Sequence, residues 1–178
     1  MFCQNLKEWE VETISQVEFK KALGNYPTGV TVITTFDEKN KPVGLTANSF
    51  ASVSIDPLLI LWSLDKKSSL YDAFIQTSKF AINILADDQE NLCSLFASKV
   101  ADRFGQCEWE ESAHQLPVFP AALSQLECEV YNKIDAGDHI IFIGKVIHIT
   151  NEDKNPLLYH KRNFGAIPEE FYKKVAKV

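Results

Sequence analysis

The sequence is poor in cysteine and has no long apolar run. Its four cysteines, Cys3, Cys93, Cys107 and Cys128, form no Cys-x-x-Cys pair and no zinc-like spacing with the four histidines, so we expect reduced thiols and no metal site. The longest apolar run, LLILW, is far too short to cross a bilayer, and no basic-then-apolar leader opens the chain. These absences exclude a disulfide scaffold and predict a cytoplasmic protein with no membrane partner.

The chain also lacks an excess of basic residues and the common self-sufficient catalytic motifs. It has 18 Lys and Arg against 24 Asp and Glu, a net charge of −6, which argues against a nucleic-acid partner. No GxGxxG follows a predicted strand, and P-loop, GxSxG and HExxH motifs are missing. We therefore expect any reaction to be carried by a bound cofactor, which the protein positions.

What the sequence does contain is a series of short β patterns. Its 178 residues fit one domain, and 46% hydrophobic with 24% charged residues is typical of a globular protein. Alternating apolar residues predict about six or seven strands, often joined by tight turns such as NKIDAGD, with few short helices between them. This pattern favours a mainly β fold, an antiparallel barrel with peripheral helices, over a doubly wound sheet.

One strand is followed by an unusual run of small polar residues. In GLTANSFASVSIDPLLILWSL, Gly44 to Leu64, hydroxyl and amide side chains stand beside a strongly apolar strand. Burying such groups without partners typically costs ~1–3 kcal/mol each. Small side chains also let a planar ligand approach the backbone, so the segment from Thr46 to Ser54 is either a ligand-binding edge or a solvated edge or bulge.

Two further segments are candidates for ligand contact. DKKSS, residues 65–69, places two lysines and two hydroxyls before a predicted helix, which suits either a phosphate or an ordinary helix cap. His139 starts a strand after a turn, where it is either a ligand-contacting group at a barrel rim or a surface histidine. His148, later in that strand, is interpreted as a sheet-face residue.

Two acidic residues are set aside. Glu127 and Glu129 are two apart on a predicted strand and share a face, as a glycosidase would require. No sugar-binding aromatic cluster accompanies them, so we expect solvated, outward-facing carboxylates.

The order of the segments resembles that of the flavin reductase-like family, the FMN-binding split barrels that include reductase components of two-component flavin monooxygenases. The resemblance covers about residues 19–167 and implies one domain over residues 1–178, with a core of about residues 15–167. The matching pieces are YPTGVTVITT, GLTANSFASVSIDPLLILWSL, KKSS, FAINIL, LCSLFAS, DRF, LECEVYNKIDAGDHIIFIGKV and PLLYHKRNFG.

The resemblance implies a homodimer with the flavin in a groove, and it assigns residues to that groove. Contacts to the edge of the isoalloxazine ring and along the flavin are implied for Thr46, Ala47, Asn48, Ser49, Ser52 and Val53. Contacts to the flavin phosphate are implied for Lys66, Ser68 and Ser69. His139 would lie on the nicotinamide side, and Phe164 would lie near the ring.

The implied activity is an NAD(P)H-dependent reduction of FMN, with FAD as a possible flavin and either NADH or NADPH as co-substrate. Reduced flavin would pass to a partner monooxygenase. The alternative is a non-catalytic FMN carrier or sensor. A pyridoxine-phosphate oxidase-like enzyme would require clusters of Arg and Lys for its substrate phosphate, and we do not find them in the sequence.

Overall fold

The structure is a computed structural model that describes residues 14–172. These residues form short helices around a set of antiparallel strands. The helices are α1 (Gln16–Gly24), α2 (Tyr71–Gln76), α3 (Glu90–Ala97) and α4 (Glu169–Tyr172). The strands are β1 (Thr28–Gly29), β2 (Thr31–Phe36), β3 (Pro42–Ala47), β4 (Ala51–Ser54), β5 (Leu59–Asp65), β6 (Lys79–Ile84), β7 (Glu110–Glu111), β8 (Pro117–Val118), β9 (Ser124–Ala136), β10 (His139–Asn151), β11 (Leu158–His160) and β12 (Asn163–Gly165).

The main sheet has seven strands in the order β3-β2-β6-β9-β10-β5-β4, and every pairing in it is antiparallel. Its two edge strands, β3 and β4, follow each other in the chain with only residues 48–50 between them. Three residues span only about 10 Å, so the sheet has to curl until its edges approach. The predicted mainly β, antiparallel fold with peripheral helices is confirmed, and the polar run lies where the two edges meet.

Aromatic side chains fill the inside of the curled sheet. Trp62 is fully buried and stacks on Phe142 at 4.7 Å between ring centroids, with Phe74 and Phe80 packed edge-on around it. A second cluster, which includes Phe96, joins α3 to the outer side of the sheet. Because these side chains fill the interior of the barrel, we expect a ligand to bind at its rim.

The hairpin of β9 and β10 is longer than the sequence predicts. The segment NKIDAGD is not all turn: β9 continues to Ala136, which pairs with His139, and only Gly137 and Asp138 form the turn. Gly137 has a φ of +64°, which glycine adopts without a steric penalty. The residues before Gly137 are typical of turns, but they are tolerated in β9 because this end of the strand is largely exposed. His139 is therefore the first residue of β10, directly after the two-residue turn.

Cys93, Cys107 and Cys128 are free thiols, whereas Cys3 lies outside the described residues. Burial raises the pKa of Cys128 to about 12, and burial also raises the pKa of Cys93. Both thiols are therefore neutral near pH 7 and are poor nucleophiles. Between residues 14 and 172, the helices are too short or too polar to cross a bilayer.

Candidate active site

A cavity of about 890 Å³ opens at the rim where β3 ends. Its volume lies within the range of roughly 300–1,000 Å³ that is usual for small-molecule sites. Four segments from different parts of the chain form its walls: the end of β3, the end of β5 with the loop to α2, the end of α3 with the segment that follows it, and the start of β10. Its polar and charged lining residues and their small neighbours include Thr46, Ala47, Asn48, Ser49, Lys67, Ser68, Ser69, Lys99, Arg103 and His139.

Two hydroxyl groups of the polar run, those of Thr46 and Ser49, are hydrogen-bonded to the protein itself. Thr46 Oγ1 donates to the carbonyl of Cys93 in α3 at 2.7 Å. Ser49 Oγ accepts from the backbone N–H of Ser63 in β5 at 2.9 Å and donates to the carbonyl of the same residue at 3.3 Å. These bonds attach the end of β3 to α3 and β5, so the protein itself positions this wall of the cavity.

Asn48 differs from its neighbours because its side-chain amide is exposed at the cavity. Within residues 14–172, no side chain or backbone group forms a hydrogen bond with this amide. An amide has both donor and acceptor atoms, which match the alternating N–H, C=O and ring nitrogen atoms along the edge of a flavin. Next to it, Ala47 has a small side chain, so a flat ring can approach the backbone. The residues at this edge therefore fit a flavin.

The two lysines of the loop between β5 and α2 have different positions. Lys66 does not line the cavity; its Nζ pairs with Asp135 at 2.9 Å and donates to the carbonyl of Gly137 at 2.7 Å. Lys67 lines the cavity together with Ser68 and Ser69. Lys66, for which the resemblance implies a phosphate contact, is thus outside the lining of this cavity and attaches the loop to the β9–β10 hairpin, whereas Lys67 is exposed to the cavity.

Arg103 contributes a cation that sequence reasoning did not assign to the site. Its Nη1 donates to the carbonyl of Gly44 in β3 at 3.0 Å, and its Nη2 donates to the carbonyl of Ser98 at the end of α3 at 2.5 Å. Its Nε is buried and lacks a hydrogen-bond partner among the described residues. Together with Lys67 and Lys99, it makes the cavity locally basic although the chain is acidic. The only signal for it in the sequence is the DRF motif after α3.

His139 lies at the cavity with its ring orientation fixed by a neighbour. Its Nδ1 lies 2.7 Å from Oδ1 of Asp138, and the hydrogen bond and charge of His139 lower the pKa of that carboxyl group. The pairing leaves Nε2 available to a ligand. His139 therefore lies at the same cavity as the end of β3.

A smaller cleft of about 300 Å³ shares Thr46, Ala47 and Asn48 with the main cavity. The rings of Tyr159 and Phe164 lie on its other side, 5.4 Å apart between centroids. Phe164 is thus close to the end of β3. Ser52 and Val53, for which the resemblance also implies flavin contacts, are exposed on β4 and lie outside the linings of both cavities.

No group of three or more His, Cys, Asp or Glu side chains within residues 14–172 is arranged to hold a metal ion. The arrangement at the rim instead suits an organic ligand that carries a flat ring and a negatively charged group.

Comparisons with known proteins agree with this description. Residues 23–168 match the model of the flavin reductase like domain. The chain is 43% identical over 153 residues to the reductase component of a flavin-dependent trigonelline monooxygenase from Acinetobacter baylyi, covering 85% of this chain and 49% of that protein. It is 42% identical over 147 residues to an FMN reductase (NADH) from Agrobacterium fabrum, covering 83% of each. It therefore spans only about half the length of the first of these relatives.

A solved structure is similar in fold and sequence. The NADH:FAD oxidoreductase of Streptomyces globisporus, determined in complex with NAD and FAD fragments, superposes with a TM-score of 0.82 at 31% identity, covering 86% of this chain and 93% of that one. The family model covers most of the chain, and the sequence identities to the relatives are high enough to show membership of one family and not only a shared fold. The chain belongs to the flavin reductase-like domain family.

Proposed function

We propose that this chain is an NAD(P)H-dependent flavin reductase that uses FMN, or alternatively FAD, and that the whole chain is one such domain. The main support for the proposal is that the end of β3, the Lys67–Ser69 loop and His139 line the same cavity. Relatives named as FMN reductase (NADH) and as NADH:FAD oxidoreductase support the choice of reaction.

Three walls of the cavity have distinct tasks in this proposal: the end of β3, the loop between β5 and α2, and the start of β10. A flavin bound there would supply the ring that accepts a hydride from a reduced nicotinamide. Thr46, Ala47, Asn48 and Ser49 would hold the edge of that ring, and Phe164 would contact it from the smaller cleft. Lys67, Ser68 and Ser69 would bind the phosphate, and His139 would orient the nicotinamide.

Alignment of two bound molecules would supply most of the rate enhancement. In well-oriented cases, proximity alone contributes roughly 7–11 kcal/mol. The end of β3, held to α3 and β5 by the Thr46 and Ser49 hydrogen bonds, suits this task because it would limit the positions that a bound ring can adopt. No side chain has to act as an acid or base in hydride transfer, which agrees with the neutral thiols and the missing catalytic motifs.

The test is to mix the purified chain with NADH and then NADPH, each with FMN, with FAD and without flavin, and to follow the loss of nicotinamide absorbance. We expect rapid loss that requires both flavin and protein. If neither nucleotide is oxidised faster than by free flavin while the protein still binds FMN, the chain is a flavin carrier or sensor, and the reductase proposal is wrong.

We also propose a homodimer, a partner monooxygenase and a cytoplasmic location. Clustered exposed apolar side chains support the dimer: no residue of α1 is buried, and Val17, Phe19 and Leu23 are 76%, 58% and 58% exposed on it, and contiguous apolar surfaces commonly mark interfaces. A relative named as the reductase component of a monooxygenase supports the partner. Free cysteines are typical of the reducing cytoplasm. Light scattering of the purified chain should give the mass of two copies.

Replacing Lys67 with Ala should weaken FMN binding by about tenfold, or ~1.4 kcal/mol, because an exposed charge-assisted contact to phosphate is lost. Riboflavin, which has no phosphate, should bind equally well to both proteins. Lys66→Ala is the matched control and should change FMN affinity less, since Lys66 pairs with Asp135. Fluorescence titration measures both affinities. A larger loss with Lys66→Ala would assign the phosphate to Lys66 after all.

Replacing His139 with Ala should lower nicotinamide oxidation by at least about tenfold, a loss of ~1.4 kcal/mol in transition-state stabilisation. FMN affinity should stay within about twofold, because the flavin is held mainly by the end of β3. Steady-state kinetics with varied NADH, together with FMN titration, separates the two effects. Collapse of FMN binding with an unchanged rate at saturating flavin would place His139 on the flavin.

A further inference from the structure

Two histidines that are 34 positions apart in the sequence meet on the surface away from the flavin cavity. The rings of His114 and His148 lie 5.4 Å apart between centroids, with an angle of 46° between their planes. His114 is half-buried and His148 is exposed, so both rings can be reached from solvent. Neither residue lines the cavity described above.

The backbone that carries His114 is tightly fixed. It lies in the turn between β7 and β8, where Ser112 Oγ accepts from the N–H groups of His114 at 3.2 Å and Leu116 at 3.3 Å. The same hydroxyl donates to a carboxylate oxygen of Glu127 at 2.6 Å. Glu127 is only 3% exposed, so the expectation of a solvated carboxylate is wrong: this acid anchors the turn to β9.

The position of His148 is also determined by the sheet. It pairs with Glu127 across β9 and β10, immediately after a register shift between Val146 and His148. A bulge of this kind turns a side chain away from the direction that regular alternation would give it. The anchored turn and the bulge together bring the two imidazoles next to each other at a tilted angle, and Nε2 of His148 also lies 3.4 Å from Oγ1 of Thr150.

The separation of the rings matches the geometry of chelation. When two imidazoles bind the same zinc ion, each through a nitrogen at about 2.0–2.1 Å, their ring centres lie roughly 5–6 Å apart. Imidazole is also a preferred ligand of Zn²⁺, Cu²⁺ and Ni²⁺. We propose that His114 and His148 form a two-histidine site for a divalent transition metal, with water completing the coordination.

A metal ion at this site would join the β7–β8 turn to β10. The buried Glu127 would not bind the ion itself. It would position His114 indirectly, because its carboxylate accepts the Ser112 hydrogen bond that holds the turn. Two protein ligands give a weaker site than the three or four of catalytic and structural zinc centres, so we expect a reversible, micromolar site.

The test is calorimetric titration of the untagged chain with ZnCl₂. We expect one ion per chain, and at least about tenfold weaker binding in His114→Ala and in His148→Ala, since even outer-shell partners are typically worth about 10–100-fold. His160→Ala is the matched control, because His160 is exposed at the end of β11, and it should bind zinc as the unmodified chain does. Unfolding midpoints without metal show whether each variant is folded.

A second readout identifies the ligands directly. With Cu²⁺ in place of Zn²⁺, the electron paramagnetic resonance spectrum should show coupling to two imidazole nitrogens, and this coupling should be lost in either variant. Zinc binding that survives both substitutions and disappears when the thiols are alkylated would place the metal on cysteine and overturn the proposal. Absence of binding at millimolar zinc would overturn it as well.

Discussion

Replacing Asn48 with Trp should weaken FMN binding by at least about 100-fold, or ~2.7 kcal/mol. The reason is steric: Asn48 is exposed at the cavity, and a Trp side chain there would occupy the space that a flat ring needs. The folded protein should lose little stability, because the Asn48 amide has no hydrogen bond to the described residues that the substitution would break. Fluorescence titration with FMN measures the loss, and thermal unfolding checks the fold.

The matched control is Asn91→Trp. Asn91 is also exposed, but it lies on α3 in a different surface groove. We expect its FMN affinity and unfolding midpoint to stay close to those of the unmodified chain. Equal FMN affinity in the Asn48 and Asn91 variants would place the flavin away from the end of β3.

Replacing Gly144 with Val should lower the free energy of unfolding by roughly 3 kcal/mol or more, at the upper end of the range for overpacked cores. A Cβ at this position would lie 2.5 Å from Cζ of Phe80 and 3.0 Å from Cβ of Cys128. Phe80 is fully buried and packs edge-on against Trp62, so it cannot move aside without disturbing the barrel interior.

Gly29→Val is the matched control, because Gly29 is also a strand glycine but has no atom within 4 Å of the position of an added Cβ. Urea unfolding at neutral pH compares the two variants. We expect the Gly29 variant to resemble the unmodified chain within about 1 kcal/mol. A similar loss in both would mean that the destabilisation comes from β-branching in a strand and not from the packed interior.

The strand pattern and the end of β3 could be predicted because their signals are local. Alternation of apolar residues follows directly from burial of one face of a strand. Thr46, Asn48 and Ser49 are conspicuous because small polar residues beside an apolar strand need partners. The sequence alone did not show that most of those partners are protein groups: Thr46 bonds to α3 and Ser49 to β5, which are distant in the chain.

The cationic wall of the cavity was harder to predict because it depends on three-dimensional placement. Lys66 and Lys67 are adjacent and chemically identical, and only the position of Asp135 decides which of them pairs with the hairpin. Arg103 reaches Gly44 across 59 positions of sequence. Glu127 looked like a surface acid because its strand alternates, yet the β7–β8 turn covers it.

A crystal structure of the chain with bound FMN would show whether a flavin binds where the two edges of the split sheet meet. We expect electron density for the ring against Thr46, Ala47 and Asn48, with the phosphate at Lys67 and Ser68. Density for FMN elsewhere on the protein, with this cavity filled only by water, would contradict this expectation.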